Sequence, residues 1–68
     1  MTYEDLKDLV ENETRQFVMN ALIMEGVLFE TNLNTSWGQI GMTIKLSEGH
    51  YHAVWDGTTG NLVSLEPA

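Results

Sequence analysis

The chain opens on an apolar period close to four. Tyr3, Leu6, Val10, Phe17, Ala21 and Met24 fall within one narrow stripe when residues are placed about 100° apart around a helix. Thr2 followed by Asp5 resembles a capping box with Asp in place of Glu, and Glu4, Asp5 and Asp8 lie where a helix N-terminus favours anions. Gly26 stands where a C-cap glycine would end the element, so the pattern predicts one long N-terminal helix over residues 2–25.

The two halves of that helix carry different surfaces. Through Arg15 the face opposite the stripe is polar, with Glu4, Asp8 and Glu11 aligned at i, i+4 and i+7. From residue 17 to residue 24, "FVMNALIM", apolar side chains go all the way round, because Val18, Met19, Leu22 and Ile23 point away from the stripe that Phe17 and Met24 share. A helix apolar on every side is buried on every side, and one thin sheet cannot cover it. The sequence therefore predicts an oligomer interface at Val18, Met19, Leu22 and Ile23, with a homodimer as the simplest form. Met24 and Met42 are expected in the core.

After Gly26 the period falls to two. Val27, Phe29, Thr31 and Leu33 alternate with Leu28, Glu30 and Asn32, "NTS" at 34–36 marks a turn, and Ile40, Met42, Ile44 and Leu46 alternate with Gln39, Gly41, Thr43 and Lys45. "SEG" at 47–49 suits a three-residue hairpin loop, "HYHAVWD" follows as a strand, and "GTTGN" turns the chain into "LVSL". Strands are expected over 27–33, 38–46, 50–56 and 61–65. The fold class is then α+β, a single domain over 1–68 with the helix on one face of a four-stranded antiparallel meander. Tyr51, Ala53 and Trp55 should look inward, leaving His50, His52 and Val54 outside.

Size and charge narrow the roles. A chain of 68 residues has a small core, and without cysteine its reinforcement must come from a metal or a second subunit. Hydrophobic content of 43% places it among folded domains. No apolar run approaches the roughly 20 residues that span a bilayer, and the acidic start does not resemble a signal peptide, so no membrane partner is expected and the cytoplasm is the expected compartment. Two matches to the glycosylation pattern, at 12–14 and 34–36, then have no consequence. Ten acids against three bases give a net charge of −7, which repels nucleic-acid phosphates but suits a basic protein surface.

The sharpest candidate chemistry is "EGHYHAVWDG" at 48–57. On an extended strand Glu48, His50 and His52 would share a face and could hold a divalent metal. A histidine pair of this spacing is similar to the metal motif of cupins, but their remaining glutamate and distant histidine have no counterpart here. The stretch also resembles the histidine hairpin of papain-like peptidases, yet the chain has no cysteine nucleophile, so no catalytic role passes to His52 or Glu66. No phosphate loop, dinucleotide fingerprint or nucleophile elbow is present, and the chain reads as a non-enzyme with no cofactor.

In size, acidity and lack of catalytic motifs the chain resembles, in general character, small phage-encoded inhibitors. The expected function is thus an acidic protein-interaction module that meets a basic, nucleic-acid-binding surface of a host protein through Glu4, Asp8 and Glu11, extended by Glu30 and Glu48. Two alternatives stay open: a metal- or small-ligand module on the Glu48/His50/His52 strand, and a structural subunit of a larger assembly.

Overall fold

The chain breaks its predicted helix in the middle, and the break decides which residues face inward. The structure, a computed structural model, describes residues 1–34 and 37–68, with Asn34 described by its backbone alone. Its elements are α1 (Tyr3–Asn12), α2 (Arg15–Met24), β1 (Leu28–Asn34), β2 (Gln39–Leu46), β3 (Gly49–Asp56) and β4 (Leu62–Pro67). The strands form one antiparallel sheet in the order β1-β2-β3-β4, so the molecule is α+β with a meander, carrying two ten-residue helices in place of one long one.

The reason for the break is local. Glu13 is extended, and Thr14, also extended, caps α2 by accepting the Phe17 N–H on its hydroxyl at 3.2 Å. Asn12 turns its side-chain amide back onto the Asp8 carbonyl at 2.8 Å, occupying an acceptor in the last turn of α1. Packing agrees with the capping. Leu6 and Val10 of α1 and Val18 and Leu22 of α2 are all fully buried. In one continuous helix Leu22 would lie about 160° around the axis from Leu6, too far for both to reach one sheet. Interrupting the helix lets each half bury its own i, i+4 pair.

That rephasing overturns part of the expected stripe. Phe17 is 52% exposed and Met24 86% exposed, so neither belongs to the core, whereas Met42 is buried as expected. At the end of α2 the Val27 N–H reaches the Leu22 carbonyl and the Gly26 N–H the Ile23 carbonyl. This Schellman arrangement needs a left-handed residue, and Gly26 supplies it with φ of 71°.

Each strand begins one residue from where the alternation puts it. Met42, Ile44 and Leu46 of β2 and Ala53 and Trp55 of β3 join the four helix residues in one buried cluster. The β2–β3 loop is tighter than expected: Leu46 pairs with Gly49, leaving Ser47-Glu48 as a two-residue turn. The turn anticipated at 34–36 lies mostly outside the described residues. α1 lies against β4 and α2 against β1, both on the face that carries Trp55. No described helix is long and apolar enough to cross a membrane.

Candidate functional site

Two surfaces carry the chemistry. The first is the solvent side of α1. Burying Leu6 and Val10 turns Glu4, Asp8 and Glu11 outward, and all three are exposed. Their carboxylates make no hydrogen bond or ion pair among the described residues. Asp5, also exposed, is committed to the capping box with Thr2, accepting the Thr2 N–H at 3.2 Å. The acids stand at successive turns of one rigid element, a geometry that concentrates negative potential.

Glu30 and Glu48, expected to extend this stripe, are engaged elsewhere. Glu30 projects from β1 on the sheet face away from the helices, where it pairs with Lys45 Nζ at 3.3 Å. Glu48, in the β2–β3 turn, accepts the Tyr3 N–H at the start of α1, beside a tilted Tyr3–Tyr51 ring contact with centroids 4.8 Å apart. It thereby serves as a distant helix cap.

The same placement separates the expected metal trio. Glu48 bends toward α1, while His50 and His52 lie on the outer sheet face, His50 exposed and His52 half-buried. Among the described residues no three His, Asp or Glu side chains stand close enough to share a metal ion.

The second surface is that outer sheet face. Gly41, in the middle of β2, leaves room for the His52 ring from β3; a Cβ at Gly41 would stand 3.1 Å from His52 Cε1 and 3.3 Å from Nε2. The Nδ1 atom of His52 meets Thr43 Oγ1 at 3.3 Å, and Glu66 is its cross-strand neighbour on β4. Beside the ring lies an open depression of about 310 Å³ lined by Asn32, Leu33, Gln39, Gly41, His52 and Val54. The polar side chains of its lining are two amides and one imidazole, all able to hydrogen-bond. In the sequence Gly41 is only one position of the β2 alternation, and nothing local signals the histidine that uses its space.

The expected interface residues divide. Val18 and Leu22 are fully buried by the chain's own sheet, and a second copy cannot reach them. Met19 is half-buried, its sulfur 3.3 Å from Arg15 Nη1. Only Ile23 of the four is well exposed, joined on the outside of α2 by Phe17 and Met24. The correction follows from the rephasing at Thr14, which exchanges the inner and outer faces of α2.

One further ionisable group is shaped by its surroundings. Asp56 closes the β3–β4 turn by accepting the Thr58 and Thr59 N–H groups at 2.7 and 3.0 Å. The backbone donors of Thr59 and then Thr58 hold its carboxyl below its ordinary value. A scan against protein-family models finds no match, and searches of curated proteins and of solved structures likewise find none.

Proposed function

We propose that the chain is a small acidic interaction protein that docks the exposed side of α1 onto a basic surface of another protein, of the kind that otherwise holds nucleic acid. The observation behind this reading is the row of Glu4, Asp8 and Glu11, exposed, without an ion pair among the described residues and fixed on a helix capped by Thr2, Asp5 and Glu48. Carboxylates stepping along a helix offer a basic groove a negative charge at each turn. The three residues are the contact set, with Glu30 and Glu48 left to their internal partners.

The test is affinity capture of nucleic-acid-binding proteins on the immobilised chain. A specific partner is expected to bind at low salt, to elute as salt is raised, and to be displaced by DNA, because long-range attraction between exposed charges is screened. Reversing Glu4, Asp8 and Glu11 to lysine together should abolish capture while leaving the helical circular dichroism unchanged. Capture that persists in the triple variant would place the contact elsewhere.

A further inference from the structure

The sheet has two edges, and they are guarded differently. Hydrogen-bond direction alternates along an antiparallel strand, so the register fixes which backbone groups face outward. The Gly57 N–H reaches the Gly38 carbonyl, the Asp56 N–H the Asn61 carbonyl, and the Ala68 N–H the His50 carbonyl. Even-numbered β3 residues therefore bond to β4, and odd-numbered ones to β2. Carried through β2, the alternation joins Leu28, Glu30 and Asn32 to Lys45, Thr43 and Gly41. The N–H and C=O groups of Phe29, Thr31 and Leu33 then point to the open side. On the opposite edge the corresponding residues of β4 are Val63, Leu65 and Pro67, of which Pro67 has no N–H, and a register shift at Val54/Trp55 distorts the ladder. A bulge and an edge proline are the usual means of blocking edge-to-edge pairing; β1 has neither.

Charge separates the edges in the same sense. Residues 15–46, which include α2, β1 and β2, hold two cations, Arg15 and Lys45, and two anions, Glu25 and Glu30, for a net charge of zero. The rest of the chain has eight acids and one base, so it carries the entire net charge of −7. Two copies meeting at the β1 edge would join their neutral sides. α2, the helix against that edge, exposes Phe17, Ile23 and Met24.

We infer that β1 pairs antiparallel with β1 of a second copy about a two-fold axis through Thr31, joining two four-stranded sheets into one of eight strands. Only registers that keep each residue on its own face are allowed under that axis. Pairing Glu30 with its own mate would oppose like charges, whereas centring on Thr31 sets Glu30 against Asn32 of the other copy. The same register places Leu33, 75% exposed, opposite Phe29 of the second copy. Thr31 exchanges both of its backbone bonds with its mate. This inference does not depend on the acidic face of α1.

The test is native mass by light scattering, with circular dichroism as the control for folding. Wild type is expected at about twice 7.7 kDa. Thr31→Pro removes an N–H that serves no bond within the chain, and it should weaken the dimer on the order of tenfold or more while the monomer stays folded. Leu33→Lys, at an exposed position, should do the same by charge. Val63→Lys, on the β4 edge, should leave the mass unchanged. A wild-type monomer at every concentration would overturn the inference, and so would a dimer that survives Leu33→Lys or is lost in Val63→Lys.

Discussion

α1 with β4 forms one side of the molecule and α2 with β1 the other, and they are built to the same plan with opposite surfaces. Each helix has ten residues, begins at a threonine cap and buries two aliphatic side chains four apart, Leu6 with Val10 and Val18 with Leu22. Outward, α1 presents Glu4, Asp8 and Glu11, while α2 presents Gln16, Phe17, Asn20, Ile23 and Met24, with the half-buried Arg15 at its start as its one charge. Anchoring and display are thus assigned to different residues on both sides. A chain this small gives one face of each helix to its core and leaves the other to solvent.

The largest test of that symmetry removes the anchors. Leu6→Ala and Leu22→Ala should each cost about 2–5 kcal/mol, read from denaturant midpoints. A domain of this length has roughly 3–10 kcal/mol in total, so either variant should be largely or wholly unfolded at modest denaturant concentration. A loss confined to one helix would show that the two sides are not equally held. Next come the caps. Thr14→Ala should lower stability by about 1 kcal/mol, and Thr2→Ala by less, since the Glu48 carboxylate still accepts the Tyr3 N–H. Equal losses would mean that Glu48 adds little.

A smaller effect concerns charge. Asp8→Asn should raise stability by roughly 0.3 kcal/mol at low salt by easing repulsion within the acidic side, and the gain should vanish in high salt. The finest test is at Asp56. Its folded-state pKa lies below the ordinary value, so its contribution is complete above the unfolded pKa and disappears as pH falls through the folded one. Asp56→Asn retains an acceptor for Thr58 and Thr59 but cannot titrate. Its melting temperature should therefore fall less than that of wild type on acidification below pH about 4.

The β region was legible because its signal is local. Alternation from Leu28 to Leu46 sets which side chains enter the core, and a one-residue slip would have reversed every one of them. The helical region misled for the opposite reason. Tyr3, Leu6, Val10, Phe17, Ala21 and Met24 do form a continuous stripe, but the Thr14 hydroxyl accepts the Phe17 N–H and starts a second helix, and that local cap prevailed. From that point Phe17 and Met24 were assigned inward and the expected contacts Val18 and Leu22 outward, both the wrong way round, while Ile23 is exposed as expected. At the site, the exposure of Glu4, Asp8 and Glu11 followed from their spacing. The partners of Glu30 and Glu48 did not, because Lys45 and Tyr3 lie 15 and 45 residues away in the chain.

The bond between Glu48 and the Tyr3 N–H ties the start of the acidic helix to the far end of the central hairpin. Opening that hairpin removes a cap from α1, so the first-turn amides of α1 should exchange with solvent in step with the amides of β2 and β3, and not by independent fraying. A synthetic peptide of residues 1–14 would carry the same carboxylates on a chain too short to hold a helix in water. The docking proposed for α1 would therefore depend on the whole fold, and a competitor able to replace it would have to bring its own sheet.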